Sequence, residues 1–448
     1  MQFQIEQAEA LLKKAALQGA SDGDIVVAEG DSFSTQVRLD DVEKISSACG
    51  KRLGLRLFFG KRSAISSTSD LSAASLERLL FDTCEMAKMA EEDPAAGLPS
   101  PEACAHTFPE LDAVDSEIGS LSIEEKIGVA RQAERAALKT DIRLNNSEGA
   151  DFSHAFNERL YVASNGFGGL FKGSLATLSV MPIATEAGKM QRDYWYSSRR
   201  KFKQLETAEL VGRRAAMRTL RRIGAKKVST QEVPVVFEPE VAGSLLGHLA
   251  SAISGYALYK GASFLFDMLG HPIASSNFNL YDDPTLPQGL GSRPFDGEGL
   301  PSTKKTIVEK GILKNYLLDT YSGEKLGLPS NGSAVRGTGS PPSAGPSNFQ
   351  MMPGDHLPEE IIRSVRSGFY VTELIGFGVN MITGDYSRGA SGIWIENGEL
   401  AHPVEELTIA GNLKDIYKQI ELIGNDIDPS KTLAAPTLKI AKMMVAGN

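Results

Sequence analysis

The sequence predicts an α+β fold in two unlike domains, and three observations carry that reading. Helix-period and strand-period stretches alternate through the first half. A polar stretch at 224–234 then interrupts the pattern. Beyond it one long apolar helix is followed by many short strands punctuated by Gly and Pro. At 448 residues the chain is also longer than one ordinary core organises. The division drawn is an N-terminal domain at 1–224, with sub-segments 1–93 and 120–224, and a C-terminal, β-rich domain at 234–448.

Ile5, Ala8, Leu11, Leu12, Ala15 and Ala16 recur at helical spacing, and Gly19 offers a stop. Residues 24–29 read as a strand. Phe33, Thr35, Val37 and Leu39 alternate with polar neighbours, as do Leu53, Leu55, Leu57 and Phe59, which is the period of a half-buried strand. Asp70 is the expected cap of a helix carrying Leu71 to Met86. The Pro- and Ala-rich stretch 94–109 reads as a linker. Ser122 and Glu125 form a capping box, in which hydroxyl and carboxylate each satisfy a free backbone donor. Strand-like residues run from 142 to 196, broken by turns at 165–169. A helix over 206–223 ends in Arg218, Arg221 and Arg222, a cationic last turn of the kind the helix dipole favours. The long apolar helix spans 239–258. Residues 337–348, rich in Gly, Ser and Pro, are expected to be mobile or ordered only by a partner. Asn397-Gly398 reads as a type I′ hairpin turn.

Composition narrows the function. Hydrophobic residues at 42% and charged residues at 23% are those of a globular protein, so no large disordered region is expected. A net charge of −9 argues against nucleic acid and against an anionic membrane surface as partner. The opening residues Met1 to Gln7 show no basic and apolar run, so no signal peptide is expected. Cys49, Cys84 and Cys104 form no CxxC pair or disulfide framework, which points to reduced thiols and a cytoplasmic location.

No catalytic constellation is legible. The six histidines, His106, His154, His248, His271, His356 and His402, include no pair at ligand spacing on a helix. Ser391 lies between glycines but lacks a G-x-S-x-G context. The Gly-rich stretches 166–173 and 376–384 match neither phosphate-binding pattern.

The C-terminal half holds the most distinctive runs. They are Tyr259-Lys260-Gly-Ala-Ser263, Arg293-Pro-Phe-Asp296-Gly-Glu298-Gly, the run T-G-D-Y-S-R-G-A-S-G at 383–392, and I-A-G-N-L-K-D at 409–415. On these the chain resembles the TldD/PmbA family, once labelled modulators of DNA gyrase, and within it the PmbA (TldE) branch. The resemblance covers nearly the whole chain. With the residue pattern it implies an N-terminal α/β-type sandwich and a C-terminal curved, barrel-like β-sheet packed on the long helix.

The family pairs paralogues, and the TldD type carries H-E-x-x-x-H on that helix plus a C-terminal cysteine, which bind zinc. Here His248 is followed by Leu249 and Ile253 where glutamate and second histidine would stand; slipped by one, the positions hold Gly247, His248 and Ala252. No cysteine follows Cys104. The resemblance therefore implies a subunit of a metalloprotease complex degrading unfolded or leader peptides. In this chain no catalytic residue and no metal are expected, and the zinc belongs to a TldD-like partner. His248, Lys260, Ser263, Asp385, Tyr386, Ser387 and Arg388 are the channel or interface candidates. Gly243, Gly247, Ser251 and Gly255 recur at four-residue spacing and are expected to let the partner approach the helix. The isolated chain could form a homodimer. The rival readings are a non-proteolytic regulator related to a toxin–antitoxin pair, gyrase or an RNA regulator, and a self-sufficient metalloprotease.

Overall fold

Alternating apolar residues turn the N-terminal half into a sheet of strands far longer than the usual five or six residues. The computed structural model describes residues 3–447; Met1, Gln2 and Asn448 lie outside them. Helix α1 (Ile5–Leu17) precedes β1 (Asp22–Arg38), β2 (Asp41–Phe59), β3 (Arg62–Thr68) and α2 (Ala73–Met89). Then come α3 (Ile123–Leu138), β4 (Leu144–Ala163), β5 (Gly168–Glu186), β6 (Lys189–Arg192), β7 (Trp195–Arg199) and α4 (Ala208–Leu220). The sheet order is β3-β2-β1-β4-β5-β6, with β7 also on β5, and neighbours run antiparallel.

The stretches read as two strands at 24–29 and 33–39 are one strand of 17 residues. Ile25 and Val27 pack with Leu53, Leu55 and Leu57 under α1 and α2. Val37 and Phe152 continue that face under α3 and α4. Val26 and Tyr161 point the other way and meet Phe295 of the C-terminal half. Helices thus cover one face of the sheet and the C-terminal half covers part of the other. The cap of α2 is Ser72, whose side chain accepts from the Ser75 N–H, and not Asp70. Asp70 instead accepts from the Ser72 N–H at 2.9 Å and the Ser75 hydroxyl at 2.5 Å, one step outside the helix. The Ser122–Glu125 capping box forms as read.

The C-terminal half starts with β8 (Gln231–Phe237), α5 (Pro239–Ala252) and α6 (Gly255–Tyr259). It continues through β9 (Leu280–Asp282), β10 (Lys305–Glu309), β11 (Ile312–Leu313), α7 (Thr320–Leu326), β12 (Ala334–Val335), β13 (Ser343–Ala344) and β14 (Phe349–Met351). It closes with α8 (Pro358–Arg363), β15 (Ser367–Ile375), β16 (Asp385–Glu396), β17 (Glu399–Asn412), α9 (Leu413–Lys418), β18 (Ile420–Ile423), β19 (Leu433–Ala434) and β20 (Leu438–Ala446). Two sheets, β17-β16-β15-β8-β20-β18 and β11-β10-β9-β14-β19, share one apolar core with α5. The additional pairing of β17 with β20 curls the larger sheet. Asn397 and Gly398 join β16 to β17 with positive φ at both residues (52° and 83°), as a type I′ turn requires.

Two expectations are corrected here, and a third is refined. The helix read at 239–258 breaks after Ala252, because Leu317 N–H bonds to Ile253 O and Gly255 N–H to Leu317 O, drawing the backbone sideways. Residues 337–348 are ordered by their own chain: a Cβ on Gly54 would lie 1.8 Å from Thr338 O, and Ser347 and Asn348 hydrogen-bond Asp282 and Asp283. The cationic last turn of α4 forms as read, with Arg218 inside the helix and Arg221 at its C-cap, but its arginines are paired within the chain. Arg218 and Arg221 pair with Glu238 at 3.0 and 2.9 Å, and Arg222 pairs with Glu373 at 2.7 Å, so they fasten α4 to the start of α5 and to β15.

A second, deeper set of ions joins the halves. Asp24 on β1 accepts from Nε and Nη2 of Arg56, directly across in register on β2, at 2.9 and 2.5 Å. Its other oxygen is 2.6 Å from Nη2 of Arg336, which follows β12. Glu298, fully buried, lies 3.8 Å from Arg56 and accepts from the Thr320 N–H at 2.7 Å. Burial, only partly opposed by Arg56, pushes the Glu298 carboxyl up to about 7.

An acid raised above its unfolded value of 4.5 favours the fold most below that value and loses the contribution as pH climbs through 7. At about 1.4 kcal/mol per unit, the loss is on the order of 3 kcal/mol. Glu298→Gln retains an acceptor for Thr320 and cannot ionise. Its stability relative to the parent, measured by urea unfolding, is expected to rise by about 2–3 kcal/mol between pH 5 and pH 8. A constant difference across that range would contradict the assignment.

Candidate functional site

Pro239 at the first helical position and Glu238 before it start α5, and its apolar residues bury nearly all round. One strip is left partly open: Ser244, Gly247 and His248 are half-buried and Ser251 is exposed. The predicted small-residue contact surface is largely used inside the chain. A Cβ on Gly243 would lie 2.7 Å from Leu433 O, and one on Gly255 would lie 2.1 Å from Ser322 Oγ. Gly247 faces Leu433 as well.

The structure brings three of the sequence candidates together. The His248 ring meets Tyr386 edge-on, with centroids 6.0 Å apart. Arg388, two residues along β16, is close enough to depress the charged form of His248 after burial has already done so, and the imidazole's pKa is lowered. Burial raises the Tyr386 phenol, which is 1% exposed, and its hydroxyl and the His248 Nε2 have no hydrogen-bond partner among the described residues. Arg388 also lies over the Phe377 ring, 6.0 Å from its centre.

The other candidates sit elsewhere in this region. Asp385 accepts from Thr383 Oγ1 at 2.6 Å and Asn412 Nδ2 at 3.1 Å, fixing the start of β16. Ser387 is exposed, and its N–H bonds Gly378 O. Ser263 is buried, donates to Ala252 O at 2.6 Å and accepts from the Leu265 N–H, so it ties off the broken helix. Lys260 caps α6 with Nζ 5.4 Å from the Tyr259 ring. Ser391 is buried within β16.

A cleft of about 300 Å³ opens beside the first turns of α5, lined by Ser244, Glu240, Arg388 and, from the N-terminal half, Trp195, Tyr196 and Arg218. A neighbouring cleft of about 400 Å³ shares Ser244, Trp195 and Tyr196. The β7 aromatics were missed in the sequence, although Tyr194-Trp195-Tyr196 holds one of only two tryptophans. Trp195 is held by donation to Glu206 at 3.0 Å and by Arg218 over its ring.

These donors do not fit a zinc ion. His248 is followed by Leu249, Ala252 and Ile253, and the charge that acts on its imidazole is the Arg388 cation. Among the described residues no three His, Cys, Asp or Glu side chains converge as metal ligands. The three cysteines are unpaired, and all lie in the N-terminal half. No helix among the described residues is long and apolar enough to cross a membrane.

Comparison with known proteins places this geometry. Three family profiles cover most of the chain: PmbA/TldA metallopeptidase domain 1 at 23–87, its central domain at 116–223 and its C-terminal domain at 230–447. The metalloprotease PmbA of Escherichia coli O157:H7 is 37% identical, over 96% of this chain and 93% of its own. A PmbA homolog of Haemophilus influenzae is 33% identical over 99% and 96%. A crystal structure from Bacteroides thetaiotaomicron, described as a modulator of DNA gyrase, superimposes with TM-score 0.92 at 28% identity, over 99% of this chain and 100% of that one. TldE from Thermococcus kodakarensis shares the fold, with TM-score 0.87 at 23% identity, over 98% and 99%.

Removing an unpartnered buried hydroxyl relieves a desolvation cost of about 1–3 kcal/mol. Tyr386→Phe is therefore expected to leave thermal stability unchanged or to raise it. A loss of about 2 kcal/mol would mean that the hydroxyl has a bonding partner.

Proposed function

The chain belongs to the PmbA/TldD metallopeptidase family, and on that premise we propose that it is the subunit without a metal site in a TldD/TldE-type complex that degrades unfolded or leader peptides. One observation supports this above the others. Where the resemblance to TldD proteins would put H-E-x-x-x-H, α5 offers His248 alone, set against Tyr386 and a cation. In this reading the zinc and the water it activates come from a TldD-type partner. The contribution of this chain is binding and shape. Trp195 and Tyr196 line the clefts beside α5, where an extended polypeptide would find aromatic surface and the Arg388 guanidinium.

In this reading the pairing surface is the loop before β16. Phe377 is 98% exposed there, with Ile375 and Ile382 more than half exposed on either side. So much apolar side chain in water marks a contact surface more often than a solvated turn. A buried aromatic at the centre of an interface commonly contributes about 2 kcal/mol or more, some thirtyfold in affinity.

The test is reconstitution. The purified chain is expected to carry no stoichiometric zinc and to leave an unfolded peptide uncut. Adding a zinc-carrying TldD-type relative is expected to produce chelator-sensitive cleavage. Phe377→Ser is expected to weaken the pairing, read by calorimetry, at least tenfold while the melting temperature holds. Chelator-sensitive turnover by the chain alone would refute the assignment, and unchanged pairing by Phe377→Ser would refute the surface.

A further inference from the structure

A cavity lined by residues of both halves lies away from α5. It encloses about 700 Å³ between β1, β4 and the segments 290–297 and 334–336. Five arginines line it. Arg52 and Arg200 are hydrogen-bonded to Ser67 and to Leu290 O, whereas Arg159 from β4, Arg293 from the Arg-Pro-Phe-Asp run, and Arg336 keep buried nitrogens without partners. Arg336 is 1% exposed, and only its Nη2 has a counter-charge, in Asp24. Its Nε and Nη1 are buried without a hydrogen-bond partner, as are Nε and Nη2 of Arg293 and Nη2 of Arg159.

Such a set is costly. A buried, unpartnered donor on a charged group loses its hydration with no return, and three like charges add repulsion. The Arg159 guanidinium is pushed down to about 10, first by burial and then by Arg336 and Arg293. The carboxylates on the lining bond none of these nitrogens, although the charge of Asp296 partly offsets the burial of Arg293. Asp296 is taken up by the N–H groups of Glu298, Leu300 and Ala334, and Glu158 pairs with Lys172. Glu29 and Asp31 line the cavity too, without bonding the five nitrogens named above. The walls between are apolar, with Phe171, Phe295, Leu290 and Val335.

We propose that this cavity is a binding site for an organic oxyanion, a carboxylate or phosphate held by Arg159, Arg293 and Arg336 with its apolar body against Phe171 and Phe295. Guanidinium forks match both oxyanions in shape and donor spacing. The volume is that of a small-molecule or peptide-end pocket and exceeds what a bare ion fills. The site stands independently of the pairing proposed above, since it needs neither zinc nor a second subunit.

The experiment is isothermal titration of the full chain at low salt with three probes: inorganic phosphate, the peptide acetyl-Leu-Leu-Phe as free acid, and its C-terminal amide. Binding of the free acid but not the amide is expected if the ligand is a peptide terminus; binding of phosphate is expected if it is a phosphate compound. Either supports the site, provided that Arg159→Gln and Arg293→Gln each weaken it at least tenfold, the loss of a charge-assisted bond. Arg159 makes no side-chain hydrogen bond among the described residues, so Arg159→Gln is also expected to keep or raise the melting temperature of the free chain. Binding of neither oxyanion, binding untouched by both variants, or a melting temperature lowered by Arg159→Gln would overturn the proposal.

Discussion

A fully buried aspartate holds this molecule in register. Asp24 has no exposed surface, and a carboxylate in that position must be matched by positive charge. One cation comes from Arg56, directly opposite on the neighbouring strand. A slip of one residue in that pairing would carry Arg56 to the helix-covered face and place Leu55 or Leu57 against the carboxylate. The other cation, Arg336, arrives from the C-terminal half, after a stretch whose next residues lie against Gly54. Strand register and domain docking are thereby tied to one residue, and neither can be altered without leaving a charge unmatched.

The same face of the sheet explains why the junction is both glue and cavity. Strand alternation sends Ile25, Leu55, Leu57 and Leu160 toward the helices and sends Asp24, Val26, Arg56, Arg159 and Tyr161 toward the C-terminal half. Aromatic contacts among Tyr161, Phe167 and Phe295 close one part of this face. Where the packing ends, arginines outnumber the acids available to them. Asp24 neutralises Arg56 and part of Arg336, and the remaining guanidinium nitrogens face open volume.

The region around α5 follows a different logic. The helix is enclosed by two sheets, and Tyr417 donates to Leu245 O from within that core. Beyond its first turn only the strip from Ser244 to Ser251 remains partly accessible, and the residues beside it come from both halves of the chain. Arg218 and Arg221, paired with Glu238 at the start of α5, hold the β7 aromatics and the helix in fixed relation. The clefts there are consequently features of domain assembly, and a change at Arg221, outside their lining, reaches them through Glu238.

What the sequence determined by itself were the features decided by near neighbours. Helix α1, the Ser122–Glu125 box, the alternation in β2 and the Asn397-Gly398 turn each depend on residues within a few positions, so period and cap chemistry suffice to read them. Family membership and the poverty of donors around His248 were legible for the same reason, since a motif at i, i+1 and i+5 is a local pattern. The tertiary structure decided the rest. The break after Ala252 needs Leu317, the order of 337–348 needs Gly54 and Asp282, and the fate of Arg218 needs Glu238. The arginine cavity combines residues 159, 293 and 336, none of them close in sequence. Their signal was faint: a charge such as Arg56 or Arg159 beside apolar strand residues. Its meaning depends on what covers that face, and a buried charge is satisfied only by partners that folding brings from far along the chain.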